Sequence, residues 1–150
     1  ATANAMNNKS SNILVIGTNA TINSHAYENS LKEQGYSNIQ AKATPLFVPL
    51  VEEEILDGAI LNATLSHYFD SFKAPDALIL GCTHFPIISS ALSDYFGDKT
   101  LLIHSGDAIV EYLQRKFDFY KKYQNPKIEF FASENPEALR NIANKWLYEK

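Results

Sequence analysis

Two short apolar runs, each ended by a single glycine and followed by a polar loop, constrain the fold of this 150-residue chain most strongly. Residues 13–16 read Ile-Leu-Val-Ile before Gly17, and residues 77–80 read Ala-Leu-Ile-Leu before Gly81. Neither run alternates with polar residues, and both are too short for isolated helices, so we interpret them as buried strands. A helical pattern follows each loop, which predicts repeated strand-loop-helix units.

The rest of the chain continues this alternation. Further strands are predicted over 38–43, 100–103 and 127–132, and helices over 22–34, 50–56, 59–72, 86–96, 105–117 and from Pro136 onward, with a proline-bracketed loop at 44–49. On the helix after residue 104, Ile109, Val110, Leu113 and Phe117 share one face. The order predicts an α/β fold with a mostly parallel sheet flanked by helices, a flavodoxin-like or Rossmann-like three-layer arrangement.

Composition and motifs exclude several classes of function. The formal net charge is -4 and Lys and Arg total 13 without a basic run, so no electrostatic footprint for nucleic acid or an anionic membrane is present. A single cysteine cannot form an internal disulfide, and no apolar stretch approaches membrane-spanning length, which favours a cytoplasmic setting. Neither a glycine-rich phosphate motif nor metal-ligand spacing occurs among the four histidines and the cysteine. We therefore expect no cofactor and no metal.

The strongest candidate for chemistry is the only cysteine, Cys82, which directly follows Gly81. A helix predicted to begin near Pro86 would place the thiol beside a helix amino terminus, whose N–H groups stabilise a thiolate. His84 can exchange a proton with that sulfur or with a substrate, and Thr83 adds a hydroxyl to the same loop. The alternative is that Cys82 is a small buried hydrophobic residue and His84 an ordinary loop residue.

Two further groups of polar residues have ordinary explanations beside functional ones. Thr18 and Thr21, at the carboxyl end of the first strand, can bind a small polar ligand, or one of them can cap the next helix. Glu52 belongs to three consecutive glutamates, a pattern typical of a solvated helix face. From the pattern alone, none of these glutamates receives a catalytic role.

Four stretches, in order, resemble bacterial glutamate racemases of the aspartate/glutamate racemase superfamily. Residues 81–86, Gly-Cys-Thr-His-Phe-Pro, resemble the loop of the second catalytic cysteine in that family. Residues 15–22 resemble its glycine-threonine loop, residues 46–52 its Phe-Val-Pro segment ending in glutamate, and residues 102–108 the strand and helix start that follow. The resemblance covers the chain from about Ile13 to Trp146.

The resemblance implies a cofactor-independent isomerase that interconverts L- and D-glutamate by two-base thiol proton transfer, providing D-glutamate for peptidoglycan synthesis. In that case Cys82 is one catalytic base, serving the face of the L-enantiomer, and His84 tunes it or relays its proton. Thr83 holds a substrate carboxylate, Thr18 and Thr21 line the pocket, and Glu52 is a supporting polar residue. Asn19 departs from the family, since many members have a basic residue there.

The resemblance also implies that half of such an enzyme is missing. Family members have an earlier half with the first catalytic cysteine, whereas this sequence opens Ala1-Thr2-Ala3 without methionine. We expect residues 1–103 to form the middle α/β lobe and residues 104–150 to supply a strand and helices of the other lobe. An apolar face left open there would meet the missing amino-terminal half, or a second copy of the chain in a homo-oligomer. The chain alone should not racemise.

Other hypotheses remain open at this point. The enzyme can be a racemase for another amino acid such as aspartate. A non-catalytic α/β binding or assembly module would keep the same loops as scaffold. A thiol hydrolase using Cys82 and His84 is a third possibility, but it lacks a nucleophile elbow and an orienting acid at a known spacing.

Overall fold

The computed structural model describes residues 6, 8–117, 127 and 129–148. Contacts divide the chain into two compact units, Ala1–Phe117 and Asp118–Lys150. Across the described ranges, no helix combines the length and apolar character needed to cross a membrane. The predicted division at residues 103 and 104 stays a prediction.

The first unit contains a four-stranded parallel sheet, which confirms the predicted fold class. Its strands are β1 (Ile13–Gly17), β2 (Ile39–Ala43), β3 (Ala77–Leu80) and β4 (Leu101–His104), in the spatial order β2-β1-β3-β4. Both β1 and β3 are buried along their whole length, as expected for central strands covered on two faces. This strand order is the flavodoxin-like one, and it reverses direction between β1 and β3.

Helices cover both faces of this sheet. They are α1 (Asn19–Asn23), α2 (Ala26–Glu33), α3 (Phe47–Glu52), α4 (Gly58–Phe69), α5 (Ser89–Phe96), α6 (Ser105–Lys116) and the short 3-10 helix Phe85–Ile88. One sheet face packs against α3, α4 and α5 around an aromatic cluster that includes Phe47, Phe69 and Phe85. The other face packs against α2 through Leu31, and Tyr36 beyond it is also buried. The first unit therefore has the predicted three layers.

A hydrogen bond joins the end of α4 to α5. Tyr95 Oη donates to Asp70 Oδ1 over 3.0 Å. Removal from water, followed by the hydrogen bond and negative charge of Asp70, raises the pKa of Tyr95. The phenol therefore stays protonated and keeps donating to the carboxylate.

Several predicted boundaries are wrong, each for a local reason. The helix predicted over 22–34 is two helices, because His25 adopts a left-handed conformation with φ 52° between them. The predicted loop at 44–49 ends earlier, since α3 already begins at Phe47 and includes Pro49 in its first turn, where the missing N–H costs nothing. The helix predicted from Pro86 starts as the 3-10 helix and becomes α-helical only at Ser89.

In the second unit, α7 (Pro136–Tyr148) begins at the predicted proline. The strand predicted over 127–132 is wrong: Lys127 and residues 129–132 have no strand conformation, and Ile128 lies outside the described residues. A strand requires a neighbouring strand to satisfy its backbone groups. Among the described residues of this unit there is no strand to provide that pairing.

Candidate active site

The candidate site lies where the strand order reverses, at the carboxyl ends of β1 and β3. In open α/β sheets this crevice is the usual place for a ligand. The loop with Thr18 leaves β1, and the loop with Cys82 leaves β3. Because β1 and β3 are hydrogen-bonded neighbours, with Ile16 opposite Leu80, the two loops start side by side.

Cys82, His84 and Glu52 form one chain of contacts. The sulfur of Cys82 lies 3.7 Å from His84 Nδ1, within the range of a hydrogen bond to sulfur. The other ring nitrogen, Nε2, lies 3.4 Å from Glu52 Oε1 and forms an ion pair when His84 is protonated. Glu52 is the last residue of α3, so the end of that helix brings one glutamate of the three to His84.

Exposure decides how strong this chain of contacts is. The side chain of His84 is 28% exposed and that of Glu52 is 59% exposed, so water weakens their electrostatic attraction. Cys82 is half-buried and packs against the aromatic cluster. Glu52 therefore orients the imidazole more than it adds stability, while the thiol keeps access to a substrate.

The two threonines of the β1 loop are hydrogen-bonded to each other and to the start of α1. Thr18 Oγ1 lies 3.1 Å from Thr21 Oγ1 and accepts a hydrogen bond from the Thr21 backbone N–H over 3.2 Å. Thr18 is the N-cap of α1, which confirms the capping interpretation for this residue. Both side chains stay half-buried at the crevice, so the cap also fixes two hydroxyls beside the Cys82 loop.

Close packing around Gly81 holds the two loops together. The Gly81 N–H donates to the Ile16 carbonyl over 2.8 Å. A β-carbon at position 81 would lie 2.8 Å from the Ile16 carbonyl oxygen, 3.2 Å from Tyr27 Cε2 and 3.4 Å from Thr21 Cγ2. Tyr27 therefore contributes to the site, although it has no recognisable signal in the sequence, since it lies within an ordinary helical pattern.

This packing predicts that Gly81→Ala destabilises the first unit. We expect a loss of about 1–3 kcal/mol in the free energy of unfolding, because the new methyl group meets backbone that cannot rotate away. Urea denaturation followed by circular dichroism measures it. Gly106→Ala is the matched control, since a β-carbon there has no neighbour within 4 Å, and it should be neutral or slightly stabilising. Equal stability of the two variants would contradict the packing argument.

Thr83 and the predicted helix dipole have a weaker structural position. Thr83 is exposed in the turn after Cys82, where its hydroxyl faces solvent. The α-helix that was expected to begin at Pro86 starts at Ser89, and the four-residue 3-10 helix intervenes. The observed partner of the thiol is therefore His84, and the thiolate is better supported by that imidazole than by a helix terminus.

The fold and the site define a class, an α/β protein with a thiol, imidazole and carboxylate at its switch point. Comparison with known proteins agrees: the family model Asp/Glu/Hydantoin racemase matches residues 1–113. The chain belongs to the Asp/Glu/hydantoin racemase family.

Individual relatives carry one name. The chain is 60% identical over 137 residues to a glutamate racemase of Nitratiruptor sp., a match that covers 91% of the chain and 54% of that protein. The crystal structure of the Campylobacter jejuni glutamate racemase shares 50% identity and a TM-score of 0.93, covering 99% of this chain and 60% of that one. The Francisella tularensis glutamate racemase, solved in complex with D-glutamate, has 25% identity and a TM-score of 0.78, covering 99% of this chain and 58% of that one. The chain thus spans little more than half the length of these relatives.

Proposed function

We propose that this chain is part of a glutamate racemase and supplies one of its two proton-transfer groups, Cys82. The observation that carries the proposal is the contact chain from the Cys82 sulfur through His84 to Glu52 at the sheet's switch point. The similarity to proteins named glutamate racemase supports the choice of glutamate as substrate. Its product, D-glutamate, would serve peptidoglycan synthesis.

Racemisation without a cofactor requires removal of a proton from one face of Cα and delivery of a proton to the other face. Glu52 accepts the hydrogen bond from His84 Nε2–H, which leaves the lone pair of Nδ1 directed at the sulfur. His84 can then take the proton of the thiol, and the resulting thiolate can remove the α-proton. Nδ1 and Nε2 are too similar to distinguish directly, so this tautomer follows from the hydrogen-bond partners.

The substrate would be held by the hydroxyls around the crevice. Thr83 is exposed beside Cys82 and can donate to a carboxylate of glutamate. Thr18 and Thr21 are fixed at the neighbouring loop and can bind the polar groups on the other side. A carboxylate that gains negative charge as the α-proton leaves benefits from such fixed donors.

Alone, this chain should not racemise. Two acid/base groups must flank Cα, and the sequence contains a single cysteine. The Campylobacter jejuni racemase has about two fifths more chain than this one matches, and we place the second proton-transfer group in that additional segment. On this proposal, residues 1–103 form the lobe of the second cysteine and residues 104–150 belong to the lobe of the additional segment.

The test uses a composite enzyme, in which this chain replaces the matching part of the Campylobacter jejuni racemase. Proton NMR of L- and D-glutamate in D2O follows both exchange at Cα and inversion. We expect exchange with inversion for the composite enzyme and neither for the chain alone. A composite enzyme that folds but inverts no glutamate would contradict the proposed substrate, and aspartate in the same assay would test the nearest alternative.

A further inference from the structure

Helix α6 exposes an apolar face that the first unit does not cover. Ile109 is 54% exposed, Val110 is 52% exposed and Tyr112 is 53% exposed. Only Ala108 of this helix is buried. We call Ile109, Val110 and Tyr112 the α6 apolar face. Large apolar side chains that cluster on one side of a helix indicate an interaction surface rather than scattered surface residues.

The edge of the sheet extends this surface. Leu101, at the start of the edge strand β4, is 48% exposed. Helix α6 follows β4 without a loop, because His104 ends the strand and Ser105 begins the helix. The charged residues Glu111 and Arg115 form an ion pair of 3.5 Å elsewhere on the helix, so the apolar residues are not neutralised by neighbouring charges.

The position of α6 relates this surface to the candidate site. His104 pairs with Leu80, which lies two residues before Cys82. Neighbouring strands are about 5 Å apart, so α6 begins about one strand spacing from the strand that leads into Cys82. Any domain that covers the α6 apolar face therefore stands beside the thiol, where the second proton-transfer group is required.

We infer that the α6 apolar face docks the additional segment of the racemase fold, the two fifths of the Campylobacter jejuni chain that this chain does not match. That relative contains this fold within a single longer chain, with a TM-score of 0.93 over 99% of the present residues. The remaining length is enough for a second core to cover the helix. The identity of the segment rests on the proposed function, whereas the docking itself is measured without activity.

Cysteine labelling in the composite enzyme tests the inference. On a Cys82→Ser background, Ile109→Cys places a probe on the apolar face, and Glu111→Cys places the matched control on an exposed position of the same helix. Iodoacetamide labelling of each site is followed by peptide mass spectrometry in the chain alone and in the composite enzyme. We expect the probe at 109 to react at least tenfold more slowly in the composite enzyme, and the control to change less than twofold.

Each other outcome overturns the inference. Equal labelling of position 109 in the two proteins would show that the segment does not cover this face. Slow labelling in the chain alone that becomes fast on dilution would assign the face to a second copy of the chain. Equal slowing at 109 and 111 would show no contact specific to the apolar side. Protection of 109 in a composite enzyme that fails to racemise glutamate would sustain the docking surface and remove the proposed function.

Discussion

Replacement of Cys82 by alanine in the composite enzyme is expected to reduce the interconversion of L- and D-glutamate by about 10³-fold or more, because one of the two faces of Cα loses its proton-transfer group. The remaining group, in the additional segment, can still remove and return a proton on its own face. We therefore expect Cα exchange in D2O to persist for one enantiomer without inversion. Proton NMR with each enantiomer as starting material separates exchange from inversion.

The stability of the variant must be shown to be unchanged for this result to report chemistry. Cys82 is half-buried, and losing its sulfur should cost at most about 1 kcal/mol in the free energy of unfolding. Ser90→Ala, an exposed change on α5, is the control for handling and concentration. Inversion retained at the wild-type rate by Cys82→Ala would remove Cys82 from the reaction and leave a binding or assembly role for this loop.

The sequence predicts the centre of the fold better than its periphery. Strands β1 and β3 are continuous apolar runs that end at Gly17 and Gly81, so their burial and the positions of their loops follow directly from the pattern. The break at His25 does not, because a left-handed residue other than glycine is selected by the packing around it. Pairing also explains the wrong strand at 127–132, since an alternating apolar stretch forms a strand only beside another strand.

The candidate site shows the same division between local and long-range information. Cys82, Thr83 and His84 are neighbours in sequence, and the short spacing predicts that a thiol and an imidazole can meet. The choice of Glu52 depends on where α3 ends relative to the Cys82 loop, a distance of 30 residues in sequence that the glutamate pattern does not encode. Tyr27 contacts Gly81 only because α1 and α2 fold back over the β1 loop.

Removal of the imidazole is expected to produce the second largest loss of activity. In the composite enzyme, His84→Asn should reduce kcat by about 10²-fold in the direction in which Cys82 removes the proton, because the thiol loses the base that accepts its proton. Glu52→Gln should reduce kcat by about tenfold, since glutamine keeps an oxygen for Nε2–H but removes the charge that stabilises the imidazolium. Initial rates from L- and from D-glutamate measure the two directions separately.

Coupling between the two residues distinguishes a relay from two independent effects. If Glu52 acts through His84, then Glu52→Gln should have almost no further effect in a protein that already contains His84→Asn, and the double-mutant cycle should show an interaction of about 1–2 kcal/mol. Glu53→Gln is the matched control, because Glu53 is exposed and adjacent in sequence, and its activity should equal that of the unmodified enzyme. Additive losses from His84→Asn and Glu52→Gln would mean that the carboxylate acts on the substrate or on the thiol directly, and the contact over 3.4 Å would then be incidental to the reaction.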